Sequence, residues 1–167
     1  IPGSSGGVGS AALQLVKMRG AEVIAICEAS KAKKVRELGA DKIISRGENI
    51  TKALGVMTVD VVLDMVAGPS FNDYLDVLKK GGKYGIVGAI AGPLVELDLR
   101  TIYLKDLSFF GSTFQPREVF KNLIRYLEEG KLKPVVAKTY PLRNIKEAQE
   151  DFLAKKFVGK LVLDPMK

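Results

Sequence analysis

The sequence predicts an α/β protein built on a doubly wound parallel sheet. Three observations carry that expectation. Short β-rich apolar runs alternate with segments of helical spacing, the rhythm of parallel strands joined by crossover helices. The strand runs are nearly continuous in apolar residues, as burial on both faces demands. A glycine cluster from Gly3 to Gly9 also opens directly into the first helical segment.

In chain order, Val8, Ala12, Leu15 and Val16 share one face of a helix over 8–19. A strand over 22–27 follows. Ala32, Val35 and Leu38 then give a short helix stopped by Gly39, with Ser30 as a candidate N-cap. Strands are expected at Lys42–Ser45, 59–66, 83–87 and 107–111, with a turn or two of helix between Asn49 and Leu54. Phe71, Tyr74, Leu75 and Leu78 mark another helical face. Val119, Phe120, Leu123, Ile124 and Leu127 mark a longer helix ending near Gly130. After Pro134 the order changes to a strand over 135–140, a helix over 145–156 and a strand over 158–163, which sets a soft boundary there. Only Ile1 and Pro2 precede the glycine turn, where a central first strand should stand. Leaving that strand's neighbours unpaired is costly, so the expectation is a strand lost by truncation.

Composition narrows the chemistry. The 167 residues are 47% hydrophobic and 27% charged, enough for a core and a solvated surface. No His and a single Cys, Cys27, exclude a soft-ligand zinc site, a disulfide and an imidazole triad within the chain. One thiol points to a reducing compartment, and the cytoplasm is the expected location. No stretch approaches the roughly 18 apolar residues of a spanning helix, because Gly88, Gly92 and Pro93 break the longest run. The opening Ile1-Pro2-Gly3 has no basic n-region, so it reads as neither signal peptide nor natural start. A net charge of +7 suits an anionic partner, but no basic stripe with interleaved aromatics suggests nucleic acid.

The loop Gly3-Ser4-Ser5-Gly6-Gly7-Val8-Gly9 leads into a helix whose first N–H groups and partial positive charge suit a pyrophosphate. Gly6 permits close backbone approach, and Gly9 permits tight packing of the helix. Ser4 occupies the first position of the strict G-x-G-x-x-G, so G-x-x-G-x-x-G is what stands. A glycine cluster alone is equally an ordinary turn. The context favours a dinucleotide: Glu28 lies 19 positions beyond Gly9, at a strand end where a carboxylate meets ribose hydroxyls. Lys31, Lys33 and Lys34 follow it and suit either a 2′-phosphate or a solvated helix start, so NAD(H) and NADP(H) both remain open.

The segments GSSGGVGSAALQLVK, RELGADKII, VDVVLDMVAG, LKKGGKYGIVGA, LKDLSFFGST and FVGKLVL together resemble the medium-chain dehydrogenase/reductase superfamily. The Ser-Ser-Gly-Gly-Val-Gly form is similar to its quinone oxidoreductase-like and zinc-binding dehydrogenase branches. The resemblance implies a Rossmann nicotinamide-dinucleotide-binding domain over residues 1–134, and a segment over 135–167 returning to a GroES-like catalytic domain. That N-terminal domain, with any zinc ligands, would lie outside this chain.

The implied pyrophosphate contacts are Ser5, Gly6, Gly7, Val8 and Gly9. Glu28, Lys31, Val66 and Ala67 would take the adenosine end, and Gly88, Ala89 and Ile90 the nicotinamide ribose. Ser112, Thr113 and Phe114 would hold the carboxamide, with Lys160 approaching from the returning strand. Turn chemistry at Gly88 and Ser112 and a surface lysine at 160 are the plain alternatives. The family also implies a homodimer through the strand around Leu107 and Phe110, in competition with burial of that edge beneath the helix near 117–130.

The implied activity is hydride transfer between nicotinamide and a carbonyl, alcohol, quinone or activated alkene, by the longer protein. No residue here is catalytic, and this portion alone is expected to be inactive. A non-catalytic dinucleotide-binding or dimerisation module is the alternative. A third class, an S-adenosylmethionine-dependent methyltransferase, fits less well with the strand–helix–strand ending and the seven-residue glycine loop.

Overall fold

The computed structural model describes residues 1–167. Its strands and helices alternate as α1 (Gly7–Lys17), β1 (Ile24–Cys27), α2 (Ala32–Glu37), β2 (Lys42–Ser45), α3 (Ile50–Leu54), β3 (Val59–Asp64) and α4 (Phe71–Val77). They continue as β4 (Leu78–Ile86), α5 (Leu99–Leu104), β5 (Ser108–Gly111), α6 (Arg117–Glu128), β6 (Val136–Pro141), α7 (Ile145–Ala154) and β7 (Lys160–Asp164). Every strand pairing is parallel: β1 with β2, β3 with β4, β4 with β5, and β6 with β7. Parallel strands with intervening helices form the doubly wound, Rossmann-like arrangement the sequence predicts.

Ile1 and Pro2 extend β1's ladder. The Ile1 backbone N donates to the Ile24 carbonyl at 2.7 Å, and the Ile26 N–H donates to the Ile1 carbonyl at 3.0 Å. Pro2 bridges Ile26 in the parallel sense. Between this stub and β3 lies an apolar slot of about 430 Å³, lined among others by Val23, Ile26, Val61, Leu63 and Tyr74. The sheet is therefore in two parts, one on each side of the slot.

The core divides the same way. Leu13, Val23, Ala25, Cys27, Val35 and Ala40 pack around β1, while Val62, Phe71, Leu75, Leu78, Tyr84 and Leu107 pack around β3 and β4. Tyr84 is clasped between Phe71, edge-on at 5.4 Å, and Phe109, stacked at 5.3 Å.

Several local expectations change. On α1 the fully buried side is Gly9, Ser10 and Leu13, whereas Val8 is 53% exposed. Apolar counting passed over the small residues that let this face approach the loop closely. Ser30 does not cap α2; Lys31 stands at its N-cap without a side-chain bond. Asn49 caps α3, its Oδ1 accepting from the Lys52 N–H at 2.7 Å. Leu78 opens β4 instead of closing α4, and α5 was not foreseen.

The chain from Lys133 through β6, α7 and β7 forms no ladder with the other sheets but is tied to them at three points. The Gln14 amide both donates to the Lys133 carbonyl and accepts from its N–H, each at 3.0 Å. The Gly159 N–H donates to the Ser5 carbonyl at 2.9 Å, and Lys31 Nζ donates to the Lys155 carbonyl at 2.5 Å.

Candidate functional site

The loop and helix start are held from below. Ser4 is fully buried, its Oγ donating to the Ile26 carbonyl at 3.0 Å, and the Gly6 N–H donates to the Gly3 carbonyl at 3.0 Å. Gly9 lies so close to the loop that a Cβ would stand 2.6 Å from Ser4 Cα and 2.8 Å from the Gly3 carbonyl carbon. Gly9 thus permits helix–loop contact no side chain would allow. Gly6 differs: a Cβ there would lie 3.4 Å from Gly3 O, an ordinary contact, and the residue is exposed. Ser5 is buried and spends its carbonyl on Gly159.

Lys160, the first residue of β7, lies across Gly7. A Cβ on Gly7 would come within 2.9 Å of its Nζ. An ammonium therefore sits over the amino end of the eleven-residue α1, where unbonded N–H groups and the helix dipole already favour an anion.

The next loops meet edge to edge. After β3, the Asp64 carboxylate accepts from the Val66 N–H at 2.8 Å and the Ala67 N–H at 3.0 Å, and also accepts from the Tyr84 hydroxyl. Asp64 is 1% exposed, so it acts as a buried clamp on this turn. Burial, then the Asp64 bond and charge, push the Tyr84 hydroxyl's pKa far up. Burial followed by the charge on Asp64 pushes Tyr74 up to about 12. Both phenols therefore remain protonated donors at neutral pH. Ala67 is held at φ 53 and ψ −142, a region glycine alone enters freely.

Val66 O accepts from the Ala91 N–H at 2.9 Å, and a Cβ on Gly88 would lie 3.0 Å from Met65 O. The loop at 88–91 thus packs on the loop at 65–68. Ser112 N–H donates to Ile86 O at 3.0 Å, placing residues 112–114 beside the end of β4. Ile90 and Phe114 are 79% and 83% exposed. The structure accordingly gathers the loop at 5–9, Val66, Ala67, Gly88, Ala89, Ile90 and Lys160 along the carboxyl ends of the strands, with Ser112, Thr113 and Phe114 at its far side.

At the other end Glu28 follows β1. Its carboxylate meets Arg46 at 2.9 Å and Lys31 at 3.3 Å. Lys31 is only 8% exposed and is not the solvated lysine a helix start suggests; Lys33 and Lys34 are exposed, Lys34 pairing with Glu37 at 3.2 Å. Sequence reasoning passed over Arg46, Asp64 and Gln14. The apolar run VDVVLDMV carries two carboxylates, Asp60 and Asp64, and only the structure tells the exposed one from the buried one.

Cradle, cation and carboxylate fit a dinucleotide. They do not fit zinc: no three His, Cys, Asp or Glu residues gather where a metal could sit, and Cys27 is buried in the core. No helix is long and apolar enough to cross a membrane.

Comparison with known proteins agrees with this geometry. The family model described as "Zinc-binding dehydrogenase" matches residues 7–129. The chain is 32% identical over 99% of its length to an acryloyl-coenzyme A reductase from Sulfurisphaera tokodaii, covering 50% of that protein. It is 30% identical over 98% of its length to a quinone oxidoreductase from Pongo abelii, covering 53%. A solved chain from Sinorhizobium meliloti superposes with a TM-score of 0.92 at 46% identity, over 98% of this chain and 47% of that one. The chain spans about half the length of the relatives it matches.

Proposed function

The chain belongs to the zinc-binding dehydrogenase family, and from that premise we propose that it supplies the cofactor-binding portion of an NAD(P)(H)-dependent oxidoreductase. The observation that carries this is the Lys160 ammonium lying over Gly7 at the amino end of α1. The methylene stem of Lys160 packs across Gly7 and holds the ammonium at a helix N-terminus, where a pyrophosphate would bridge the two.

In this proposal Ser5, Gly7, Val8 and Gly9 offer backbone N–H groups to the pyrophosphate and Gly6, whose own N–H is bonded to the Gly3 carbonyl, gives it close approach, with Lys160 as counter-charge. Glu28 accepts from the adenosine ribose. Lys31 acts on Glu28 from below, and Val66 and Ala67 wall the adenosine side. Gly88, Ala89 and Ile90 would flank the nicotinamide ribose, and the backbone of Ser112, Thr113 and Phe114 the carboxamide. When bound, the cofactor supplies hydride chemistry with a carbonyl, quinone or activated alkene; the protein's share is binding and orientation.

We assign residues 1–134 to the dinucleotide-binding domain and 135–167 to a segment that completes a second domain. The exposed Phe152, Leu153 and Val136 support the second assignment, since that much apolar surface suits a further packing partner. The slot beside Ile1 and Pro2 supports an incomplete first strand.

The free edge of β5, with Phe110 52% exposed and no buried residue on α6 to cover it, supports a homodimer paired through this strand. Light scattering on Phe110→Lys should report monomer if so. The main test is titration of the complete polypeptide with NADH and NADPH, followed by turnover with quinones and enoyl-thioesters. Binding of neither nucleotide, or binding undiminished by Gly6→Val, refutes the proposal.

A further inference from the structure

Asp64 and Tyr84 form a buried polar pair beneath the loops that follow β3 and β4. Every bond the Asp64 carboxylate makes is with a neutral donor: the Val66 N–H at 2.8 Å, the Ala67 N–H at 3.0 and 3.1 Å, and the Tyr84 hydroxyl. A buried carboxylate that forms no ion pair is a poor means of stabilising a fold, because the cost of leaving water is repaid only in part. It is a good means of fixing whatever donates to it.

Those donors lead to one loop. The Asp64 carbonyl accepts from the Val87 N–H at 2.8 Å, where the chain leaves β4, and the Val66 carbonyl accepts from the Ala91 N–H at 2.9 Å. Gly88, Ala89 and Ile90 are therefore hung at both ends from the turn that Asp64 clamps. Ala67, at φ 53, is kept in its strained conformation by a carboxylate that takes its N–H with both oxygens. Tyr84 is fixed in its turn by the rings of Phe71 and Phe109, which leave its hydroxyl one direction.

The other end of the site has separate supports. Ser4 hangs from β1 through the Ile26 carbonyl, and Glu28 is held by Lys31 and Arg46. None of these bonds involves Asp64 or Tyr84. We propose that Asp64, braced by Tyr84, is a positioning residue for the nicotinamide half of the site. It sets where Gly88, Ala89 and Ile90 stand, and leaves the adenosine and pyrophosphate half to β1 and α1. This role rests on the dinucleotide reading above, in which that loop flanks the nicotinamide ribose.

The test compares whole and half ligands on the complete polypeptide, for the wild type, Asp64→Asn and Tyr84→Phe. NADH is paired with ADP, and NADPH with 2′-phospho-ADP; the second of each pair lacks the nicotinamide ribose. Asp64→Asn should weaken the whole nucleotide by about 10-fold, the scale of lost hydrogen bonds to a charged group. The half ligand should weaken by less than about 3-fold, as for a change remote from its contacts. Fluorescence of the nicotinamide bound to Asp64→Asn should move toward that of the free nucleotide. Tyr84→Phe keeps the carboxylate with its two backbone donors, so its ratio of whole to half affinity should fall between those of wild type and Asp64→Asn. A carboxylate that only supports the fold would weaken both ligands alike or neither, and either result overturns the positioning role while leaving dinucleotide binding intact. If Asp64→Asn does not fold, Tyr84→Phe decides: a ratio equal to wild type overturns the role. A wild type that binds none of the four ligands overturns both readings.

Discussion

Replacing Gly9 and Gly6 one at a time by alanine separates structure from ligand in this loop. At Gly9 the added methyl would sit 2.6 Å from Ser4 Cα and nearer still to Gly3 O. Carbon atoms are comfortable at about 3.5 Å, so loop and helix must part by most of an ångström. Overpacking of this kind costs about 1–3 kcal/mol. Alanine's better helix propensity returns about 0.5–1 kcal/mol, and with the overlap falling on rigid backbone the net loss lies toward the upper end of about 0–2.5 kcal/mol. The bonds at risk are Gly6 N–H to Gly3 O at 3.0 Å and Ser4 Oγ to Ile26 O at 3.0 Å, which hold the loop in shape. At Gly6 the methyl meets Gly3 O at 3.4 Å, and the backbone lies at φ −77, open to any residue. Urea unfolding should therefore show Gly9→Ala destabilised and Gly6→Ala within about 0.5 kcal/mol of wild type. NADPH titration of the complete polypeptide should show both weakened, Gly6→Ala because its methyl enters the pyrophosphate's space. If Gly9→Ala unfolds at the wild-type midpoint, the close-contact reasoning is refuted. If Gly6→Ala binds nucleotide as tightly as wild type, so is the placement of the pyrophosphate.

Ala67→Gly should relieve a backbone strain of about 1–3 kcal/mol, less about 0.4–1 kcal/mol of added unfolded-chain entropy. Calorimetry should then show a melting temperature raised by a few degrees; a lower one would mean Ala67 is not strained. Cys27 is 1% exposed and burial pushes its thiol above its usual range, despite the opposing charges of Lys31 and Arg46. A disulfide reagent at pH about 8 should modify it slowly in the native protein and rapidly in urea, the thiolate being the nucleophile; equal rates would count against the packing around β1. Asp41 accepts from Lys17 Nζ at 2.6 Å and from the Val23 N–H at 2.7 Å, and these bonds, the Lys17 one foremost, hold its carboxyl below the usual range. Its stabilising effect is complete above the unfolded value of about 3.9 and fades as pH falls through the lower folded value. Asp41→Asn should differ from wild type in unfolding midpoint near pH 7 and converge with it in strong acid; a gap constant with pH would refute that linkage.

The legible and illegible parts of this molecule divide along a physical line. Strand and helix order could be read because strands that line a core leave nearly continuous apolar runs such as those around Val23 and Val62, and the glycine loop because only small residues tolerate the contacts Gly9 makes. Both are constraints on one residue's own surroundings. Val8 falls on the apolar face the spacing predicts and yet is exposed, while Leu13 outside that set is fully buried, because α1 is apolar on two sides; only the tertiary contact with the loop says which side faces inward.

What could not be read is pairing across distance. Lys31 looks like Lys33 and Lys34 in the run KAKK, yet it alone meets a carbonyl 124 positions away. Arg46 is an ordinary residue after a strand until the end of β1 is laid beside it, 18 positions from Glu28. Such pairings decide the charge around Glu28, and they arise from the order in which strands lie in the sheet.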